Sequence, residues 1–96
     1  MTSPGPLPTL RFYERADCEL CDDARRALQA VLEERVKCGA MVPKVHAIDV
    51  ARDAETERAF GYRVPVLVLE GRELSLAMGQ RAIRRFLVDT LDARLA

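Results

Sequence analysis

The chain lacks tryptophan altogether and has a single histidine and only three cysteines among its 96 residues. Three cysteines are too few, and an odd number, for a small secreted scaffold held together by disulfides. An excess of one charge is also lacking, since fifteen basic and fifteen acidic residues give a formal net charge of zero. This balance argues against a general nucleic-acid binder or a protein of acidic membrane surfaces.

Long apolar runs are missing as well. No stretch approaches the roughly 20 apolar residues that span a bilayer, and Met1 to Thr9 lacks the charged-then-apolar order of a signal peptide. We therefore expect a cytoplasmic protein, and in that compartment a close cysteine pair is more often catalytic or metal-binding than structural. A chain of 96 residues has room for one domain with one modest core.

The hydrophobic pattern divides the chain into a short arm and one folded unit. Residues 1–8 hold three of the five prolines and are predicted to form a flexible arm, whereas residues 9–96 form the single domain. Apolar residues that recur at i, i+3 and i+4 predict helices, and clusters of β-branched residues predict strands. The predicted elements are strand Thr9–Glu14, helix Cys18 to about Val36, strand Val42–Val50, a short helix from Asp53 to Phe60, strand Val64–Leu69, strand Glu73–Leu76 and helix Gln80 to about Leu95.

Local signals set the boundaries of these elements. Gly39 is expected to end the first helix, and Gly61 to end the short one. Glu70-Gly71-Arg72 is typical of a hairpin turn between the last two strands. The proline at the start of the second strand favours an edge position, and the third strand is apolar enough to be buried on both faces.

Two cysteines, Cys18 and Cys21, open the first long helix directly after the first strand. At i and i+3 the thiols share one face of the first turn, where unpaired N–H groups and the helix dipole favour a thiolate on Cys18. Cys21 is then close enough to close a disulfide once Cys18 has reacted. The spacing predicts thiol–disulfide exchange, with Cys18 as nucleophile and Cys21 as resolving thiol.

Over nearly its whole length, the chain resembles the glutaredoxin branch of the thioredoxin superfamily. The Cys18-x-x-Cys21 pair follows the first strand, Arg15 stands three residues before it, and Val64-Pro65 matches the cis-proline that precedes the third strand. The resemblance implies an α/β thioredoxin fold of order βαβαββα, a four-stranded mixed sheet with helices on both faces. It also implies a dithiol–disulfide oxidoreductase that needs no bound cofactor or metal.

The same resemblance assigns roles to residues beside the cysteines. Arg15 would favour the Cys18 thiolate by its positive charge, or bind a substrate carboxylate. Pro65 would be cis, and the backbone of Val64 could then accept an extended substrate as an added strand. The expected partners are a protein or small-molecule disulfide and a thiol reductant, and the protein is expected to act as a monomer.

Two departures from the glutaredoxin pattern bear on glutathione. Glu19-Leu20 stands between the cysteines where glutaredoxins carry Pro-Tyr, and the segment Ser75 to Gln80 lacks the acid that helps to hold the glutamyl end of glutathione. Glutathione is therefore expected to bind weakly. Acids at positions 17, 19, 22 and 23 complement the helix dipole yet disfavour a neighbouring thiolate, so their net effect on Cys18 stays open.

Other uses of the same thiols remain alternatives. Cys38 and His46 could complete a four-ligand zinc site, although their spacing matches no familiar ligand pattern. The pair could instead bridge an iron–sulfur cluster between two protomers, as the resemblance allows, or belong to a redox-inactive interaction domain. Otherwise Cys38 is expected to be incidental or semi-buried, and His46 to lie on the surface of an edge strand.

Overall fold

The structure, a computed structural model, describes residues 7–92 of the chain. The elements are β1 (Thr9–Glu14), α1 (Glu19–Cys38), β2 (Lys44–Asp49), α2 (Ala54–Phe60), β3 (Val66–Leu69), β4 (Arg72–Ser75) and α3 (Gly79–Leu91). Short 3₁₀ turns precede and follow α2 at Val50–Arg52 and Gly61–Arg63. The predicted order βαβαββα is confirmed. Most of the expected arm, and the expected end of the last helix at about Leu95, lie outside the described residues.

The strands form one mixed sheet in the order β2-β1-β3-β4. β1 and β2 are parallel, with Glu14 opposite Asp49. β1 and β3 are antiparallel, with Tyr13 opposite Val66, and β3 and β4 form an antiparallel hairpin. The predicted edge position of β2 is confirmed, and all four residues of the central strand β3 are buried as predicted.

The core has two parts, one on each face of the sheet. Alternate residues of β1 and β3 point to opposite faces, as the pleat requires. On one face, Leu10, Phe12, Leu67 and Leu69 pack against α1 and α3. On the other face, Tyr13, Val66 and Val68 pack with Val50 and with Phe60 of α2. Helices therefore cover both faces of the sheet, as predicted.

Local chemistry explains where α1, α2 and the hairpin begin and end. Gly39 ends α1 in the left-handed conformation (φ 73°), which favours glycine, and its N–H donates to carbonyls of the last turn. The Asp53 carboxylate accepts the N–H of Thr56 at 3.0 Å and so caps α2. Glu70 and Gly71 both have positive φ (51° and 78°), the conformation of a two-residue hairpin turn.

Two strands start later than the sequence predicts. β2 starts at Lys44 rather than Val42, because the preceding residue is a proline, which has no N–H to give to the sheet. The Lys44 N–H donates to the Pro8 carbonyl at 2.9 Å. β3 starts at Val66, and Val64 and Pro65 form a connection joined by a cis peptide bond, as the resemblance implied.

A buried arginine joins the ends of the two longest helices. Arg35 of α1 is buried, and its guanidinium donates to both carboxylate oxygens of Asp92, at 3.2 and 2.7 Å. Its Nε donates to the Met41 carbonyl at 2.6 Å. The arrangement satisfies the charge of Arg35 and fixes α3 against α1 at the end of the molecule far from the cysteines.

Sheet order, strand directions and helix placement together define a glutaredoxin-like thioredoxin fold. Among residues 7–92, no helix is long and apolar enough to cross a membrane.

Candidate functional site

Cys18 and Cys21 form a disulfide at the start of α1, with their Cα atoms 5.2 Å apart. Cys18 is the N-cap residue, with extended backbone, and its Sγ accepts the N–H of Cys21 at 3.1 Å. Cys18 is half-buried, whereas Cys21 has no exposed surface. The first sulfur is thus the one that an incoming molecule can reach, and the second lies behind it.

The helix terminus also sets the electrostatics of Cys18. A free N–H at the first turn of a helix favours negative charge on the atom that it faces. Here the Cys21 N–H faces the Cys18 sulfur. This geometry favours a thiolate on Cys18 when the disulfide is open.

The sheet topology brings two further segments to the same end of the molecule. Because Tyr13 of β1 lies opposite Val66 of the antiparallel β3, the end of β1 and the start of β3 are neighbours. Ser75 at the end of β4 lies opposite Val66 on the other side. We call the segments Cys18–Cys21, Tyr62–Pro65 and Leu76–Met78 together the disulfide end of the sheet.

The last two of these segments are held to each other by backbone hydrogen bonds. The Leu76 N–H donates to the Arg63 carbonyl at 3.1 Å, and the Ala77 N–H donates to the Pro65 carbonyl at 2.9 Å. The Arg63 guanidinium reaches Glu73 and Ser75 of β4, at 2.7 and 2.6 Å. The segment that contains Val64 and the cis-proline is therefore fixed from the β4 side.

Arg15, three residues before Cys18, is held by a carboxylate of α2. Its Nη2 donates to both oxygens of Glu57, at 2.7 and 2.9 Å, and to the Gly61 carbonyl at 3.0 Å. Gly61 has an ordinary φ of −58°, but a Cβ there would lie 2.8 Å from Arg15 Nη2. A side chain at this position would press on the flexible ends of Glu57 and Arg15, so the glycine leaves room for the ion pair as it stands. The sequence gives no signal that pairs Arg15 with Glu57, which is 42 residues away.

The acids around the cysteines fall into two groups. Asp22 pairs with Arg25 at 3.0 Å and Asp23 pairs with Arg26 at 2.5 Å, while Arg25 also contacts Glu14. The residues on either side of Cys18, Asp17 and Glu19, are exposed, and no residue from 7 to 92 forms an ion pair or hydrogen bond with their side chains. The unmatched negative charge thus flanks the first cysteine directly.

The structure separates Cys38 from the cysteine pair. Cys38 is the last residue of α1, about 30 Å along a 20-residue helix from Cys18 at its start. The four-ligand zinc alternative is therefore wrong for a single chain, and within residues 7–92 no group of three or more His, Cys, Asp or Glu side chains could hold a metal ion. Cys38 is exposed rather than semi-buried. His46 lies exposed on the edge strand, as expected.

The two tyrosines of the chain, Tyr13 and Tyr62, differ sharply in exposure. Tyr13 is 5% exposed and stacks on Phe60 with ring centroids 4.0 Å apart, so it belongs to the core. Tyr62 is 81% exposed and lies in the segment before the cis-proline.

The fold and the disulfide-bonded Cys-x-x-Cys pair place the protein in the glutaredoxin-like class of thioredoxin-fold proteins. The chain belongs to the family described as the glutaredoxin-like domain (DUF836), which matches residues 9–96. It is similar to the solution structure of protein XcR50 from X. campestris, with 36% identity, 83% of this chain and 92% of that chain covered, and a TM-score of 0.62.

A second solution structure, protein Ne2328 from Nitrosomonas europaea, covers 100% of both chains at 21% identity and a TM-score of 0.63. This similarity shows the fold alone. No curated protein matches the chain.

Proposed function

We propose that the protein is a dithiol–disulfide oxidoreductase that works through Cys18 and Cys21. The observation that carries this proposal is the disulfide itself, with a half-buried Cys18 at the helix N-cap and a fully buried Cys21 one turn inside. An accessible first sulfur and a protected second sulfur are what a nucleophile and a resolving thiol need.

The reduced protein would transfer two electrons to a substrate disulfide, and the two substrate sulfurs take up one proton from Cys21 and one from solvent. The Cys18 thiolate attacks one substrate sulfur, a Cys18–substrate disulfide forms, and the other substrate sulfur leaves as a thiolate that takes up a proton. Cys21 then loses its proton and attacks Cys18 Sγ, which closes the Cys18–Cys21 disulfide. The second substrate sulfur leaves and is protonated. A thiol reductant, for which we propose a protein dithiol, reopens the pair by the reverse exchange.

Neighbouring groups support this reaction in proposed roles. The Val64 backbone before Pro65 would receive an extended segment of the substrate as an added strand. Arg15 would position the loop at Gly61, since its guanidinium already binds Glu57 and the Gly61 carbonyl. We propose that the protein acts as a monomer in the cytoplasm, with a protein or small-molecule disulfide as its substrate.

The test uses matched cysteine variants in a Cys38→Ser background, which removes the exposed third thiol. Cys18→Ser should abolish reduction of a model disulfide, because the attacking sulfur is gone. Cys21→Ser should instead accumulate a stable mixed disulfide on Cys18, detectable by its mass. Equal residual turnover in both variants would reject the mechanism, and absence of turnover in the parent would leave an interaction domain as the better interpretation.

A further inference from the structure

We propose that the disulfide end of the sheet selects a cationic protein segment with an apolar side chain beside its cysteine, and discriminates against anionic thiol compounds such as glutathione. This proposal rests on the oxidoreductase function proposed above and names its substrate class. Three independent features of the site carry it, namely unmatched acids, occupied arginines and exposed apolar side chains.

The first feature is the pair of unmatched acids that flank Cys18. Asp17 and Glu19 are exposed and have no partner within residues 7–92, whereas the next acids, Asp22 and Asp23, are matched by arginines. Asp17 has a positive φ of 55° in the turn that leads into the helix. Any molecule joined to Cys18 by a disulfide comes within a few bonds of both carboxylates, well inside the roughly 10 Å over which charges act at about 0.1 M salt.

The second feature is that two arginines near the cysteine pair, Arg15 and Arg63, are already occupied. Arg15 is bound to Glu57 at 2.7 Å, and Arg63 is bound to Glu73 at 2.7 Å. Arg81, an exposed cation at the start of α3, lines a groove along that helix together with Met78, Arg84 and Arg85, and so borders this end on the α3 side. A substrate carboxylate at Arg15 or Arg63 would therefore have to displace an existing ion pair, whereas a substrate ammonium beside Cys18 meets Asp17 and Glu19 directly.

The third feature is apolar surface on each of the three segments. Leu20 between the cysteines is 44% exposed, Tyr62 before the cis-proline is 81% exposed, and Leu76 and Met78 after β4 are 52% and 43% exposed. These side chains lie on three adjoining segments, and exposed large apolar side chains in one region of a small protein are typical of a contact surface. Leu76 also has a positive φ of 49°, an unusual conformation for a residue of its size.

Together these features describe one occupant. Glutathione carries two carboxylates, one ammonium and no large apolar side chain, so it would meet repulsion at Asp17 and Glu19 and find little to bind at Leu20 or Tyr62. A protein segment with lysine or arginine next to its cysteine, and a leucine-like residue beside them, would satisfy both the acids and the apolar surface. The protein would thus be specific for basic protein disulfides.

The experiment measures single-turnover reduction of synthetic peptide disulfides by the reduced Cys38→Ser protein. One peptide has lysine on each side of its cysteine, one has glutamate and one has glutamine, each with the same leucine nearby. Each rate is divided by the rate of the same peptide with dithiothreitol, which removes the intrinsic reactivity of the disulfide. The normalised rate for the lysine peptide should exceed that for the glutamate peptide about tenfold at low salt. The ratio should approach one in about 1 M salt, where charges are screened beyond about 3 Å.

Two double variants identify the residues responsible. Asp17→Asn with Glu19→Gln should reduce the lysine-to-glutamate ratio several-fold. The control, Glu33→Gln with Glu70→Gln, changes the net charge of the protein equally at two exposed acids, one about four turns along α1 and one in the β3–β4 turn at the opposite end of the sheet, and should leave the ratio unchanged. A change in Cys18 nucleophilicity alters all peptides alike, so it cancels in the ratio.

The outcomes separate the two proposals. Reduction of all three peptides at equal normalised rates, or a preference for the glutamate peptide, overturns the charge selection while the oxidoreductase function stands. Reduction of none of the peptides overturns the oxidoreductase function itself. A ratio that falls equally in both double variants would show a general effect of net charge and would overturn the assignment to Asp17 and Glu19.

Discussion

At the scale of single residues, the three cysteines occupy three different environments that alkylation can distinguish. Cys18 is a half-buried N-cap that faces an N–H, Cys38 is exposed at a helix end, and Cys21 is fully buried. Because the helix terminus favours the Cys18 anion, we expect iodoacetamide to label reduced protein in the order Cys18, Cys38, Cys21. Peptide mapping after short exposures checks this order.

Cys38 serves as the internal control in that experiment, because it is exposed and lies far from the acids of the first turn. If Cys38 reacts before Cys18, the carboxylates of Asp17 and Glu19 outweigh the helix terminus. Preferential labelling of Cys21 would reverse the proposed roles of the pair.

The pairing of Arg15 with Glu57 leads to a second prediction at this scale. In Glu57→Gln the guanidinium loses its carboxylate and becomes available to a carboxylate of glutathione. We expect the rate of reduction by glutathione to rise several-fold, because an exposed ion pair between Arg15 and a glutathione carboxylate becomes possible. Steady-state turnover with glutathione measures the effect. Glu55→Gln removes an exposed charge from the same helix and should change nothing. An equal rise in both variants would refute the proposed availability of Arg15.

At the scale of elements, the ion pair between α1 and α3 should make stability depend on pH. Hydrogen bonds from Arg35 lower the pKa of Asp92, against a smaller opposing effect of burial. A carboxyl whose pKa is depressed in the folded state stabilises the fold above its unfolded pKa of about 3.9, and this contribution is lost as pH falls through the folded pKa.

Asp92→Asn tests this directly. The variant leaves the buried guanidinium of Arg35 without its carboxylate, so we expect a loss of about 1–2 kcal/mol in the free energy of unfolding at neutral pH. The difference from the parent should shrink below a pH of about 4. Urea unfolding at several pH values measures it. Asp89→Asn is the control, since the Asp89 carboxylate pairs with the exposed Arg85 at the surface. A difference that stays constant with pH would contradict the assignment.

Helices α1 and α2 show how far sequence alone predicts the elements. The helix α1 follows from its apolar spacing and from Gly39, and α2 from the cap at Asp53, because these signals act within a few residues. The hydrogen bonds from Arg35 to Asp92 span 57 residues of sequence. A buried arginine interrupts the apolar pattern of α1, and nothing in that pattern indicates which carboxylate it binds. Tertiary contacts of this kind have no local signature, so they appear only once the chain is folded.

At the scale of the whole molecule, the order of the strands in the sheet explains why the cysteine pair and the Val64-Pro65 segment lie at one site. The cysteine pair and the Val64-Pro65 segment could be picked out in the sequence from their spacing and their resemblance to glutaredoxins. The antiparallel placement of β3 beside β1 is what sets the two segments at one end of the sheet. The distribution of charge there could not be predicted from the sequence. Arg15 is occupied because α2, on the sheet face opposite α1 and α3, brings Glu57 to it, and Asp17 and Glu19 find no such partner among residues 7–92.

This distribution of charge bears on how the oxidised protein is reduced. Glutathione is an anion that must approach Cys18 between two unmatched carboxylates, with Arg15 and Arg63 already paired. Compared with a typical glutaredoxin site, each charged hydrogen bond to glutathione that is missing costs about 1–3 kcal/mol of binding free energy. The loss of two such bonds therefore lowers the affinity for glutathione at least about tenfold. We therefore expect slow reduction by glutathione, and faster reduction by a protein dithiol whose contact surface can cover Leu20 and Tyr62.

A coupled assay decides between these donors. The oxidised protein is offered either glutathione with glutathione reductase, or thioredoxin with thioredoxin reductase, each with NADPH, and consumption of NADPH is followed with a peptide disulfide as acceptor. The thioredoxin system should support the higher rate, and Asp17→Asn with Glu19→Gln should raise the rate with glutathione more than the rate with thioredoxin. Efficient turnover with glutathione alone would show that the carboxylates beside Cys18 do not control the donor, because the acceptor peptide is the same in both assays.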